Sequence, residues 1–235
     1  MGYKKIIFDL DDTLLDFKAT EKKALSDVLT TYGIPETPEN VALYQEINNK
    51  YWRLLELGKL QPSQSISSRF DEYFDVLGVK ATGEAADVIF RKRLAEGHQL
   101  MNHADTLLQL LKQKGYQLYA GTNGFGKIQR QRLDNSHLNH YFDDLFISDE
   151  IGFAKPDIRF FYTIFDRVNL HRKNEIIMVG DRLSSDILGA SNAGIDSIFF
   201  HPYQQTSFER IQPTFTVHHL LEILPLMATS QKRAS

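Results

Sequence analysis

Asp9-Leu10-Asp11-Asp12 sets three carboxylates within four residues, and a hydroxyl follows at Thr13. The cluster comes directly after an apolar run, Ile6-Ile7-Phe8. Carboxylates crowded at the end of a buried segment repel one another and lose hydration, and a nearby cation relieves both costs. The plainer reading is a turn or helix-capping cluster. A calcium loop of the EF-hand type is disfavoured, because Leu14 falls where that loop needs glycine. A second acidic site lies at Gly180-Asp181-Arg182-Leu183-Ser184-Ser185-Asp186, again after an apolar run. Asp181 and Asp186 could hold Mg²⁺ directly and through water, since that ion takes oxygen ligands and keeps several waters. Asp186 could equally complement the positive end of a helix. Thr122-Asn123-Gly124 joins a hydroxyl, an amide and a permissive backbone. That combination suits an oxyanion site, and it also suits an ordinary turn. Lys155-Pro156-Asp157 offers a cation beside a helix start, with Pro156 suited to the first turn. Lys155 is then either a fixed partner for phosphate or a solvated side chain.

These four segments need elements to position them. Apolar runs at 3–8, 116–122, 145–148, 176–180 and 197–200 read as buried strands. Amphipathic patterns at 104–114, 127–133, 158–168 and 185–193 read as helices, the first stopped by Gly115. Strands alternating with helices imply parallel βαβ units and a three-layer α/β domain. In such a sheet, ligands bind beyond the carboxyl ends of the strands, at the point where strand order reverses. Each chemical segment follows a different strand, so all four converge on one predicted site. Residues 17–97 break the rhythm and contain four helical stretches, at 19–32, 39–57, 64–77 and 83–96. The expectation is a helical unit, 17–97, inserted into an α/β unit made of 1–16 and 98–235, with linkers at 16–19 and 97–103. Residues 229–235 read as a frayed tail, and His218-His219 as the edge of a C-terminal helix.

Composition narrows the function. Lys+Arg 27 against Asp+Glu 30 gives a formal net charge of −3, which argues against a general binder of nucleic acid or anionic membrane. No apolar run approaches the ~18 residues that a membrane span needs. The chain has no cysteine, which excludes thiolate catalysis, thiolate metal sites and disulfides. That fits a reducing cytoplasmic compartment. Its eight histidines show no metal-binding spacing such as H-E-x-x-H.

The four segments, in their order, resemble the motifs of the haloacid dehalogenase superfamily of aspartate-nucleophile phosphohydrolases, and the likeness spans essentially the whole chain. The resemblance implies a Rossmann-like parallel sheet carrying an inserted α-helical cap that closes over the core and excludes water. Carried over by position, Asp9 is the nucleophile and forms an aspartyl-phosphate. Asp11 protonates the leaving oxygen and then deprotonates the attacking water. Mg²⁺ is held by the Asp9 carboxylate, the Asp11 backbone carbonyl and Asp181, with Asp186 one shell out. Thr122, Asn123 with Gly124, and Lys155 hold the phosphoryl oxygens. Asp12 departs from the glycine common there. The presence of Asp11 disfavours a true dehalogenase.

Within the superfamily, residues 44–52, 121–125 and 142–156 resemble the pyrimidine 5′-nucleotidase, or house-cleaning, branch. That implies a nucleoside 5′-monophosphate substrate, in a monomer or homodimer. Tyr44, Asn48 and Trp52 recur every fourth residue and share one helix face. Asn48 and Trp52 are candidate base contacts, while Tyr44 and Trp52 equally suit a bundle core. The alternatives are a phosphatase of sugar phosphate or phosphoglycolate, a phosphoglucomutase-type isomerase, a receiver-like phospho-Asp signalling module and a catalytically silent binding protein. Receivers are much shorter chains without such an insert.

Overall fold

The structure, a computed structural model, describes residues 2–60, 67–202 and 211–232. The chain divides into two compact units, Met1–Asp16 with His98–Ser235, and Phe17–Gly97.

Among the described residues, the first unit is built on six parallel strands: β1 (Lys5–Phe8), β2 (Gln117–Thr122), β3 (Asp144–Ile147), β4 (Ile176–Gly180), β5 (Asp196–Phe200) and β6 (Phe215–Val217). Their order in the sheet is β3-β2-β1-β4-β5-β6. The central strands are buried on both faces, which is why they read as unbroken apolar runs. Successive side chains alternate between the faces. Ile6, Phe8, Ile177 and Val179 pack on one side with α5 (Ala104–Gln113) and α10 (Ile223–Lys232). Ile7, Ile176 and Met178 pack on the other with α8 (Ile158–Arg167) and α9 (Leu188–Ala193). Among the described residues, this unit also contains the α-helices α6 (Gly126–Asn135) and the single turn α7 (Ser148–Ile151).

Strand β1 pairs with β2 on one side and β4 on the other, Phe8 standing level with Ala120 and Val179. This is where strand order reverses, so Asp9, Thr122 and Asp181 leave the sheet at one edge. Gly115, at φ +82°, adopts the left-handed conformation that ends α5 and turns the chain into β2.

Several elements differ from expectation. The sixth strand, β6, adds to the five expected: three residues at a sheet edge carry no long apolar run. The stretch expected as a helix at 185–193 is a π-turn over Leu183–Ile187 followed by α9. His218 and His219 precede the C-terminal helix; the His218 ring Nδ1 lies 2.7 Å from the His201 carbonyl. Helix α10 continues to Lys232, so the tail expected from 229 is helical that far, and 233–235 lie outside the described residues.

Among the described residues, the second unit holds four α-helices: α1 (Phe17–Thr31), α2 (Pro38–Glu56), α3 (Ser68–Leu77) and α4 (Gly83–Glu96). The expected start of the third helix, 64–66, lies outside the described residues. An aromatic core holds this unit together, with Tyr44 5.5 Å from Phe70, 5.8 Å from Phe90 and 5.9 Å from Tyr73 between ring centres. Tyr44 is therefore a core residue and no base-stacking platform. Among the described residues, no helix is long and apolar enough to cross a membrane.

Candidate active site

Asp9 follows β1, its backbone N–H donating to the Val179 carbonyl at 2.8 Å. Its carboxylate is buried and accepts from the Lys155 ammonium at 2.7 Å. Lys155 also lies 2.7 Å from Asp186 Oδ1 and donates to the Gly121 carbonyl at 2.6 Å. Burial opposes the charge on Lys155, but Asp186 and Asp9 more than offset this, so it is held firmly protonated. Lys155 is thus the fixed cation of the site, excluding the solvated alternative.

Asp9, Asp181 and Asp186 each offer a carboxylate oxygen, and the three atoms lie within 4.8 Å of one another. Burial, partly offset by Lys155 and reinforced by Asp186 and Asp11, pushes Asp9 up to about 7. Burial first, then Asp9, Asp186 and Asp12, raises Asp181 well above the usual carboxylate range. With all groups ionised, three carboxylates against one ammonium leave a net charge of −2. That donor set and that deficit fit a divalent hard cation such as Mg²⁺. Asp186 already uses Oδ2 to accept from the Arg182 N–H at 3.0 Å and Oδ1 against Lys155. It is suited to an indirect role. Thr13, buried after the acidic run, donates its hydroxyl to Asp181 Oδ1 at 3.3 Å.

The loop after β1 places Asp12 at φ 58°, in the left-handed region. Glycine is the residue least strained there, and Asp is among the few others that tolerate it. The departure from glycine at this position is therefore compatible with the same loop geometry.

Thr122 ends β2 and is buried, its Oγ accepting from Gln129 Nε2 at 2.8 Å. Asn123 is tied to the Lys155 backbone. Its Nδ2 donates to the Lys155 carbonyl and its Oδ1 accepts from the Lys155 N–H, both at 2.8 Å. The amide fastens the Lys155 loop to β2, and so positions the lysine. The Gly124 N–H is likewise committed, to Ser148 Oγ at 3.2 Å. Lys155 is reached through α7 and a loop. Pro156 lies before the helix rather than in its first turn, because Asp157 is the N-cap of α8.

Both Asp11 oxygens are engaged by α6. Oδ1 pairs with Arg132 Nη1, and Oδ2 accepts from Gln129 Nε2 at 3.0 Å. Gln129 and Arg132 lie outside the residues that motif spacing singles out. The available signal is the helix itself: GKIQRQRLDN must pack against a core yet has only Ile128 and Leu133 as large apolar residues, so polar side chains must be buried. In the helical unit, Asn48 is buried and donates Nδ2 to Glu21 Oε1 at 2.9 Å, while Trp52 is half-buried.

The sheet order and acidic edge define a hydrolase of the haloacid dehalogenase-like class, and the chain belongs to that family, whose model matches residues 3–194. More particularly, it is 36% identical over 224 residues to the pyrimidine 5′-nucleotidase PynA of Streptococcus pneumoniae, covering 95% of this chain and 94% of that one. It is 31% identical over 227 residues to the pyrimidine 5′-nucleotidase YjjG of Escherichia coli, covering 97% and 99%. The crystal structure of the putative HAD-hydrolase YfnB from Bacillus subtilis matches with a TM-score of 0.89 at 34% identity, covering 97% of this chain and 99% of that one. That structure is described as bound to magnesium and as revealing interdomain movement.

Proposed function

We propose that this protein is a Mg²⁺-dependent phosphomonoesterase acting on pyrimidine nucleoside 5′-monophosphates through an aspartyl-phosphate on Asp9. The observation that carries the reading is the buried Asp9 carboxylate, pinned by Lys155 and lying within 4.8 Å of Asp181 and Asp186. The substrate class is supported by the two nucleotidase relatives.

In the first half-reaction an Asp9 oxygen attacks phosphorus. The bond from phosphorus to the ester oxygen breaks, its electron pair stays on that oxygen, and the oxygen takes a proton from Asp11. In the second, Asp11 removes a proton from water, the water oxygen attacks phosphorus, and the bond to Asp9 breaks to release phosphate. Lys155 balances charge on the phosphoryl oxygens, and Thr122 directs its hydroxyl proton at one of them. Mg²⁺ would be held by Asp9, Asp181 and the Asp11 carbonyl, with Asp186 through water, and would neutralise charge and orient the phosphoryl group.

A panel of phosphate esters with Mg²⁺ tests this. UMP, dUMP and dTMP are expected to outrank hexose phosphates and phosphoglycolate, and Asp9→Asn to release no phosphate from any. If sugar phosphates rank first, the nucleotidase assignment is lost. Wild-type turnover by Asp9→Asn would overturn the mechanism.

A further inference from the structure

Helix α6 carries two buried polar side chains that take no direct part in the reaction. Gln129 and Arg132 stand one turn apart on the same helix face, and both are almost completely buried. Gln129 Nε2 donates to Asp11 Oδ2 at 3.0 Å and to Thr122 Oγ at 2.8 Å. Its Oε1 accepts from Arg132 Nη1 at 2.9 Å, and the same Nη1 pairs with Asp11 Oδ1. Asp11, Thr122, Gln129 and Arg132 thus form one bonded unit.

Burying an amide and a guanidinium is costly unless their bonds are made. Aliphatic residues at 129 and 132 would pack the same helix without that cost. The fold also makes room for the arrangement: a Cβ on Gly124 would lie 3.0 Å from Gln129 Cγ and 3.2 Å from its Nε2. The glycine of the Thr-Asn-Gly segment is therefore where the Gln129 side chain passes.

We propose that Gln129 and Arg132 are positioning residues for the proton-transfer step, tying the Asp11 carboxyl to the Thr122 hydroxyl so that proton donor and phosphate contact share one frame. The proposal rests on the reading of Asp9 as nucleophile and Asp11 as proton donor. A displaced Thr122 hydroxyl slows all esters alike, so the mark of Asp11 is the difference between leaving groups. When the bond from phosphorus to the ester oxygen breaks, an alkoxide from a nucleotide needs the Asp11 proton as it leaves. A nitrophenolate is weakly basic and leaves without it. Misplacing Asp11 therefore slows alkyl esters and spares aryl esters, whereas general loss of packing slows both.

The test compares kcat/KM for UMP and for p-nitrophenyl phosphate in Gln129→Leu, which keeps side-chain volume but no donor. kcat/KM reports only steps through transfer to Asp9, so later hydrolysis does not enter. Gln129→Leu is expected to lose about tenfold or more on UMP, a fraction of the 10²–10⁴ that acid–base catalysis supplies, and less than about threefold on the aryl ester. Arg132→Lys, which keeps a cation but not the fork, is expected to change in the same sense by a smaller factor. It is read alone if Gln129→Leu fails to fold. Equal losses on both esters, or no loss on either, overturn the proposal. Failure of the wild-type protein to release phosphate from either ester overturns the phosphomonoesterase reading instead, which separates the two.

Discussion

As the proposed nucleophile, Asp9 must be ionised, yet it is placed where ionisation is penalised. Without a divalent cation, burial pushes it up from 3.8 to about 7. Because the folded value lies above the unfolded one, the protonated form contributes stability that is complete in acid and lost as pH rises through about 7. Cation-free protein is therefore expected to show a Tm contribution from Asp9 that falls between about pH 4 and about pH 7, and Asp9→Asn to flatten that fall. A wild-type Tm that rises over this range as steeply as that of Asp9→Asn would contradict the electrostatic account. Residue types and their order are enough to bring Asp9, Asp181, Asp186, Thr122 and Lys155 to one edge. What Asn123 and Gly124 do there is not legible in the sequence, because their partners, the Lys155 backbone and Ser148, are loop and helix-start atoms whose approach depends on tertiary packing.

At the scale of elements, the site depends on how the chain leaves β4. The π-turn over Leu183–Ile187 folds Asp186 back over Gly180, where an added Cβ would lie 2.3 Å from Asp186 Oδ2. Gly180 is required by this close approach. Gly180→Ala is expected to displace Asp186 from Lys155 and to lower both phosphatase activity and Tm, by about 1–3 kcal/mol of stability for overpacking. Thermal melts beside initial rates would check it, and an unchanged variant would refute that contact. Long apolar runs make β1, β2, β4 and β5 legible from residue types alone. The short β6 and the π-turn stay hidden, since neither carries a periodic pattern of its own.

At the scale of the molecule, an α/β unit supplies the acidic edge and a helical unit of α1 to α4 folds around its own aromatic core. The net charge of −2 at the edge makes cation binding and folding a linked equilibrium. Saturating Mg²⁺ is expected to raise Tm, with about 2.7 kcal/mol gained when the free ion stands at 100 times its Kd. Asp181→Asn should remove most of that gain, and a Tm indifferent to Mg²⁺ in the wild-type protein would count against the assigned ligands.

The central claim is that phosphate is carried on Asp9. Borohydride reduces an acyl phosphate to an alcohol, so protein quenched during turnover of UMP with Mg²⁺ should yield a peptide bearing homoserine at position 9. No such peptide should form without substrate. Reduction at another carboxylate, or none at any, under conditions where phosphate is being released would contradict the account.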